Sequence, residues 1–195
     1  MQDSTRVEEE QLRSLMSAYQ SGESSAFEIL YTLLEPKILK YLYWKTLNRE
    51  TAQELLQETF LQIHRSRRTY IPPRPVLPWV FGIARNVYLM DRRVRNTEKS
   101  WEVDSEFPEP DLDSLSEFQR IADRDLIRKA LALVSPKRKE VVLMHHILGL
   151  SFKEIAGVLG IRPVTAKVRA HRGIKDLRDS VSKLNVTRES QPAKQ

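Results

Sequence analysis

Hydrophobic residues recur along most of this chain at spacings of three and four positions, which is the pattern of helices that bury one face. Near the amino terminus, one such stripe consists of Leu12, Leu15, Met16 and Tyr19. A second stripe consists of Ala52, Leu55, Leu56, Thr59, Phe60 and Ile63. Apolar and polar residues do not alternate over any strand-sized stretch. The pattern therefore predicts an all-α protein.

Polar and proline positions predict where helices begin in the first half of the chain. Ser25 and Glu28 have the spacing of a capping box at the start of the second helix, and Pro36 is expected to kink that helix or make it restart. Pro78 is expected at the first position of a fourth helix that runs to about Arg95, because an N–H group is not needed there.

Similar signals organise the second half of the chain. A helix is expected from near Leu115 to about Val134. Ser135 and Pro136 have the residue types of a cap and a first helical position, and Gly149 is expected to end the helix that they begin.

A helix-turn-helix is predicted immediately afterwards. Ser151 and Glu154 have the spacing of a capping box, and Gly160 is expected to end this short helix in a left-handed turn. Two apolar residues occupy the positions of a hydrophobic staple, Leu150 and Ile155. A longer basic helix is predicted from about Arg162. A short capped helix, a glycine turn and a basic helix together make this motif.

Charge divides the 195-residue chain into blocks of opposite sign. Residues 65–95 hold eight arginines and one acid, and residues 161–178 hold six basic residues and one acid. Between these basic blocks, residues 96–114 hold seven acids and one lysine, together with two prolines. We therefore predict two small helical domains, 10–95 and 115–183, joined by an acidic linker at 96–114 and followed by a disordered polar tail at 184–195. The basic blocks indicate polyanion binding, although a solvated basic surface remains the alternative.

The absence of cysteine excludes disulfides and cysteine metal sites, and it suits a reducing cytoplasm. No apolar stretch is long enough to cross a bilayer, and the first thirty residues do not have the pattern of a signal peptide. His145 and His146 are adjacent, so on a helix they point about 100° apart and cannot share a metal. No catalytic motif or phosphate-binding loop is present. We therefore expect no enzyme activity, no metal and no cofactor.

Two predicted helices each have a candidate nucleic-acid face. On the fourth helix, an apolar arc is formed by Val80, Ile83, Val87, Met90 and Val94, with Trp79 at its border and predicted to be buried. The opposite arc is formed by Arg85, Asn86, Leu89, Arg92 and Arg93. On the last helix, the inward arc is Ala166, Ala170, Gly173, Ile174 and Leu177, and the outward arc is Val164, Lys167, Val168, His171, Arg172 and Lys175. Outward residues of the second helix of this motif enter the major groove.

Three segments resemble one protein family. The run QELLQETFLQIHR resembles the polymerase-binding helix of extracytoplasmic-function sigma factors, whose usual form is close to DAEDLVQETFL. The run PWVFGIARNVYLMDRRVR resembles the family helix that recognises and opens the −10 promoter element, and ALALVSPKRKEVVLMHHILGLSFKEIAGVLGI begins a segment that resembles the −35 domain. The three segments occur in the family's order and span nearly all of residues 10–183. The middle domain of larger sigma factors has no counterpart, as in the small type of this family.

The resemblance implies roles for particular residues. Binding to core RNA polymerase is assigned to Glu54, Leu55, Gln57, Glu58 and Leu61. Contacts with the −10 element are assigned to Arg85, Asn86, Arg92 and Arg93. Contacts with the −35 element are assigned to Lys167, Val168, Arg169, His171 and Arg172, with Arg169 as a phosphate contact on the flank of the outward arc.

The sequence departs from the family pattern at a few positions. Thr51 and Gln53 stand where the family often has acids, so core binding is expected to depend more on the five residues assigned to it above. Ala166 and Ala170 replace the usual Val and Leu, which allows the last helix either to lie closer to its neighbour or to pack less well. Pro163 lies where the family usually enters this helix through a different turn.

The resemblance also implies partners and a cellular location. These partners are core RNA polymerase, promoter DNA and an anti-sigma factor, and the location is the cytoplasm. A stand-alone DNA-binding regulator would use the same helix-turn-helix. However, a second stripe, on the side opposite the apolar stripe of residues 52–63, is acidic with one apolar residue and suits a protein partner better than DNA; it consists of Glu54, Gln57, Glu58 and Leu61. An RNA-binding or basic structural protein is a further alternative, although the aromatic platforms of common RNA modules are lacking.

Overall fold

The computed structural model describes residues 2–98 and 121–189, and within them the side chains from 7 to 95 and from 126 to 184. Every regular element in these ranges is helical, which confirms the predicted all-α class. Most of the predicted acidic linker, and the expected start of a helix near Leu115, lie outside the described residues.

The chain divides into two compact units, Met1–Pro110 and Asp111–Gln195. This division falls inside the segment predicted as the linker. The first unit contains α1 (Gln2–Gln20), α2 (Ser24–Thr46), α3 (Arg49–Ser66), a 3₁₀ turn (Arg67–Thr69) and α4 (Val76–Glu98). The second unit contains α5 (Ile121–Leu133), α6 (Pro136–Val142), a π-helical turn (Leu143–Ile147), α7 (Phe152–Leu159) and α8 (Pro163–Glu189).

The core of the first unit is formed by the apolar stripes that the sequence indicates. All six residues of the α3 stripe are buried, and so are three of the four residues of the α1 stripe. Helix α2 adds Leu30, Leu34, Ile38, Tyr41 and Leu42. The Tyr41 ring meets the Phe81 ring of α4 edge-on, with 5.6 Å between centroids. Burial of these stripes is the main force that holds the four helices together.

Helix α2 differs from its prediction at both marked positions. The predicted capping box of Ser25 and Glu28 is wrong. The cap position is Glu23, whose side chain accepts no backbone N–H of the first turn, and the Ser25 hydroxyl donates to Glu23 Oε1 over 3.0 Å. Pro36 does not make the helix restart, because α2 is continuous from Ser24 to Thr46. Pro36 is exposed, so water can reach the carbonyl that lacks a helical partner.

Helix α4 begins two residues before the predicted start at Pro78. Its first backbone N–H, that of Val76, donates to the Glu9 carboxylate of α1. A carboxylate at this place satisfies an otherwise unpaired donor and lies favourably at the positive end of the helix dipole. Pro78 still lies in the first turn, where its missing N–H is not needed.

The turns of the second unit follow the sequence closely. Pro136 is the first residue of α6 after the Ser135 cap, although the Ser135 side chain makes no capping hydrogen bond. Gly149 has φ of 71°, and the Leu148 amide before it bonds the carbonyl of Leu143 across the π-helical turn, which the sequence did not predict.

The predicted helix-turn-helix is present. The capping box of Ser151 and Glu154 forms in both directions, and both staple residues, Leu150 and Ile155, are buried. Gly160 ends α7 with φ of 63°, a left-handed conformation that favours glycine. Helix α8 continues to Glu189, so the first part of the predicted disordered tail is helical and that part of the prediction is wrong.

Helices α6 and α8 approach each other closely at Gly173. A Cβ atom at this position would lie 2.6 Å from Val142 Cγ2 and 3.3 Å from both Cβ and the carbonyl oxygen of Arg138. An ion pair of 2.6 Å between Arg138 and Asp176 joins the same two helices. The small residues of α8 therefore allow it to lie closer to its neighbour, which is one of the two outcomes that the sequence left open; the other was poorer packing.

Replacing Gly173 with valine should lower the free energy of unfolding of the second unit by about 1 to 3 kcal/mol, because the new side chain has no space against α6. Urea unfolding of the full chain, followed by circular dichroism, measures this loss. Gly157→Val is the matched control, since Gly157 is exposed on α7 with no atom near its Cβ position, and it should change stability by less than about 0.5 kcal/mol. Equal stabilities of the two variants would mean that α6 and α8 can separate without loss.

Candidate nucleic-acid and protein interfaces

The outer side of α3 presents an acidic and apolar surface. Glu54, Gln57, Glu58 and Leu61 are all exposed on it. Leu55, which the sequence analysis placed in the same set, is only 6% exposed and packs in the core of the unit. That assignment is corrected, because a buried side chain supports this surface from beneath and cannot present itself to a partner. We call the four exposed residues the α3 surface.

One acid of the α3 surface already has a cationic partner. Arg95, in the last part of α4, lies 3.3 Å from Glu54 Oε2 and 2.8 Å from Asp91 Oδ1. The hydrogen bond to Asp91 is the main reason why the pKa of Arg95 is raised. Glu58 instead accepts a hydrogen bond of 2.7 Å from the neutral amide of Gln62. Glu58 therefore contributes more uncompensated negative charge to the surface than Glu54.

The observed faces of α4 agree only partly with the predicted arcs. Of the predicted apolar arc, Val80 and Val87 are buried and Ile83 is half-buried, whereas Met90 is 65% exposed and Val94 is 56% exposed. The last buried residue on α4 is Tyr88 among the residues whose burial is described, so the helix continues past the core and its later apolar residues are not covered. The apolar arc predicted from the sequence is therefore buried only in its first part, and Met90 and Val94 remain exposed.

The polar arc of α4 is largely accessible. Asn86, Arg92 and Arg93 are exposed, and Arg85 and Leu89 are half-buried. Trp79, which the sequence predicts to be buried, is half-buried, and its indole N–H donates to Thr69 Oγ1 over 3.3 Å. An amide and two guanidinium groups on one exposed helix face can bond phosphates and base edges.

Residues 67–75, which we call the basic loop, join α3 to α4 and are held in place by α1. The Gln20 side-chain amide donates to the carbonyl oxygens of Arg67, over 2.6 Å, and of Tyr70, over 2.8 Å. The Tyr70 hydroxyl then donates to the carbonyl oxygen of Arg74. Burial is the main reason why the pKa of Tyr70 is raised, so this hydroxyl keeps its proton at neutral pH.

The basic loop exposes two arginines and an apolar residue between them, Arg68, Arg74 and Ile71. At its other end, Glu9 of α1 receives the first N–H of α4. Sequence reasoning missed Gln20 and Glu9, because both contacts join residues more than forty positions apart and neither residue belongs to a local motif. The two residues fix both ends of a basic segment that leads to the polar arc of α4.

Helix α8 presents the outward arc as predicted. Val164, Lys167, Val168, His171, Arg172 and Lys175 are all exposed. The inward residues Ala166, Ala170 and Gly173 are buried, and Arg169 is half-buried at the flank. The first turn of α8 follows directly from the Gly160 turn. This is the arrangement in which the second helix of a helix-turn-helix enters the major groove.

The adjacent histidines, His145 and His146, lie in the π-helical turn, and His145 makes contacts within the second unit. His145 Nδ1 lies 2.8 Å from the carbonyl oxygen of Leu150, and its ring stacks on Phe152 at 4.3 Å between centroids. Burial, with a smaller effect of neighbouring His145, lowers the pKa of His146. Among the described residues, no group of three or more His, Asp or Glu side chains could hold a metal ion. No helix in the same part of the chain is long and apolar enough to cross a membrane.

Two family patterns match the chain in order. The family described as Sigma-70 region 2 matches residues 30–98, and the family described as Sigma-70, region 4, matches residues 124–177. The chain is 30% identical to the RNA polymerase sigma factor CarQ of Myxococcus xanthus, over 88% of this chain and 98% of CarQ. It is 28% identical to the ECF RNA polymerase sigma factor SigL of Mycobacterium tuberculosis, over 89% of this chain and 98% of SigL.

Two solved structures share the fold. The sigma factor RpoE of Bartonella quintana, in complex with the anti-sigma factor NepR, matches with a TM-score of 0.66 and 20% identity, over 80% of this chain and 96% of RpoE. CnrH, in complex with the cytosolic domain of CnrY, matches with a TM-score of 0.68 and 22% identity, over 89% of this chain and 98% of CnrH.

Gln20→Met should loosen the basic loop, because methionine has a similar length but no N–H to donate to the two carbonyl oxygens. A loss of about 1 kcal/mol in local stability would make trypsin cleavage after Arg68 about fivefold faster. Timed digestion followed by mass spectrometry measures this rate. Gln11→Met, at an exposed position of α1, is the matched control and should leave the rate unchanged. Identical cleavage in both variants would show that Gln20 does not hold the loop.

Proposed function

The chain belongs to the sigma-70 family of RNA polymerase sigma factors, as a member of the extracytoplasmic-function type, and we propose that three separate helical surfaces bind core polymerase and the two promoter elements. As such a sigma factor, it directs promoter-specific transcription initiation with core RNA polymerase. The observation that carries the assignment is the order of the two family matches, region 2 at 30–98 and region 4 at 124–177. Helices α3 and α4 lie within the first match, and the accessible arc of α8 lies within the second.

The α3 surface is our candidate for docking on core polymerase. It combines an exposed leucine with carboxylate and amide groups, which suits a protein partner that offers cations around an apolar contact. Glu58 is the acid that we expect to pair with the partner directly. Glu54 must first exchange its contact with Arg95, a change that requires little energy because both side chains are largely exposed.

The polar arc of α4 is our candidate for the −10 element. Asn86 can bond a base edge or an unpaired base, and Arg92 and Arg93 can bond phosphates. Arg85 is half-buried, so its proposed contribution is smaller than that of the exposed Arg92 and Arg93. The basic loop continues the same positive charge toward α3.

The outward arc of α8 is our candidate for the −35 element. Lys167 and Arg172 can donate to guanine O6 and N7, Val168 can contact a thymine methyl group, and His171 lies between them on the arc. Half-buried Arg169 lies at the flank, where a phosphate contact is expected.

Further partners follow from the same proposal. One of the solved structures of similar fold is a sigma factor in complex with an anti-sigma factor, and we propose that an anti-sigma factor also binds and restrains this chain. Because the polymerase works in the cytoplasm, the chain is expected to act there. It acts as a regulatory subunit that recognises DNA, and we propose no enzyme activity and no cofactor of its own.

Run-off transcription tests the function directly. Purified bacterial core polymerase should start at defined sites on a promoter library only when this chain is added, and the two should elute together in gel filtration. A chain that bound upstream duplex DNA without core would instead be a stand-alone regulator. Failure to bind core and to change initiation on any template would refute the sigma-factor function.

Glu58→Lys should weaken binding to core polymerase about tenfold or more, because it places a like charge opposite the cations of the partner. The affinity of the chain for upstream duplex DNA should be unchanged, since that surface lies in the other unit. Glu10→Lys makes the same charge change at an exposed position of α1 and is the matched control. Equal effects of both variants on core binding would mean that net charge, rather than the α3 surface, controls docking.

Replacing Asn86, Arg92 and Arg93 together with alanine should impair promoter opening more than upstream binding. The expected decrease in opening is about tenfold, the loss of roughly one charge-assisted hydrogen bond. Permanganate reactivity of unpaired thymines measures opening, and nuclease protection of the upstream duplex measures binding in the same samples. Normal reactivity in the triple variant would leave this face a solvated basic surface.

A further inference from the structure

The outward arc of α8 contains two apolar side chains that its basic character does not explain. Val164 is 73% exposed, more than any other large apolar side chain in the part of the chain that the structure describes. Val168, one helical turn later on the same side, is 42% exposed. Exposed valines on a DNA-facing helix are unfavourable for solubility and for helix propensity, so they point to a ligand with an apolar group.

The packing of α8 prevents these valines from turning inward. Gly173 lies against Val142 and Arg138 with no space for a Cβ atom, and Ala166 and Ala170 are buried on the same inward side. The ion pair between Arg138 and Asp176 adds a polar connection to α6. Rotation of α8 that buried the valines would bring larger residues into this close contact. The outward position of Val164 and Val168 is therefore fixed by the fold.

The surroundings of the pair identify the occupant as DNA. Lys167, His171 and Arg172 share the exposed side of the helix with the valines, and the whole segment 161–178 has six basic residues against one acid. Such a surface attracts phosphates and repels basic proteins. In the major groove, the only methyl group that the four bases present is the 5-methyl of thymine.

We propose that Val164 and Val168 together read two thymine methyl groups in the upstream promoter element, which makes Val164 a further specificity-determining residue. This inference rests on the proposed role of α8 in −35 recognition. One helical turn separates the two side chains by about 6 Å, while successive bases of a strand lie about 3.4 Å apart. The two thymines should therefore lie about one or two base steps from each other, and Lys167 and Arg172 bond the bases or phosphates beside them.

The test uses holoenzyme reconstituted from core polymerase and the full chain. A promoter is first selected from a library with a randomised upstream segment. Each thymine of the selected −35 element is then replaced, one at a time, by deoxyuridine, which removes only the 5-methyl group. At two positions, on one strand or on opposite strands, we expect affinity to fall about fourfold, the effect of uncovering one buried methyl group. Elsewhere in the element, deoxyuridine should have no effect.

Single variants assign each methyl group to a residue. Val164→Ala should bind the thymine promoter about fourfold more weakly and should no longer respond to deoxyuridine at one of the two positions. Val168→Ala should lose the response at the other position. Leu133→Ala, which shortens an apolar side chain that is also largely exposed but lies on α5, is the matched control and should respond as the wild type does. Circular dichroism checks that the variants are folded.

The possible outcomes distinguish a failure of this inference from a failure of the proposed function on which it rests. A holoenzyme that selects a promoter but tolerates deoxyuridine at every position overturns the methyl contact and leaves the sigma-factor function intact. The same is true if Val164→Ala responds to deoxyuridine at both positions, because another residue then reads the methyl groups. If no upstream sequence is selected at all, the proposed role of α8 fails, and the inference fails with it.

Discussion

The close contact between Gly173 and α6 determines which side chains of α8 are exposed to DNA. A helix has a limited arc that can be buried, and burial of Ala166, Ala170 and Gly173 leaves the opposite arc in water. Because the residues on the buried arc are small, the helix backbone itself approaches Val142 and Arg138, and the permitted rotation of α8 is narrow. Base recognition requires a fixed arrangement of side chains, and this contact supplies it for the second unit.

In the first unit, hydrogen bonds between residues far apart in the sequence fix the arrangement of the basic loop and of the start of α4. Gln20 holds the carbonyl oxygens at the start of the basic loop, and Glu9 receives the first N–H of α4. Tyr70 is the only buried residue of this loop, so hydrogen bonds from the neighbouring helix matter more than their small net energies indicate. Helix α1 thereby orders the approach to the proposed −10 surface, although its own residues lie outside the matched region 2 segment.

The sequence predicted well wherever a local rule decides the structure. Periodicity identified the buried side of α3 and of α8, and the capping box with its following glycine located α7. The sequence did not predict features that depend on contacts between residues far apart in the chain. The Val76 N–H donates to Glu9, and α4 begins there, two residues before the predicted start. The core ends at Tyr88, so the later apolar residues Met90 and Val94 are exposed. Periodicity states which residues share a side of a helix, but it does not state how far along the helix a neighbour extends. The polymerase and promoter contacts of the candidate residues remain predictions, because they depend on partners.

The composition of the outward arc suits a protein that binds DNA together with a large partner. Each added Lys or Arg strengthens binding to every DNA sequence alike, since its main interaction is with phosphates. A valine adds almost nothing to binding on a random sequence, but it gains contact where a thymine methyl group is present. Core polymerase can supply much of the general affinity of a holoenzyme, so the α8 surface has to discriminate more than it has to attract. An exposed pair of valines among a few cations suits discrimination between sequences better than a uniformly basic helix does. A uniformly basic helix would hold the holoenzyme on non-promoter DNA.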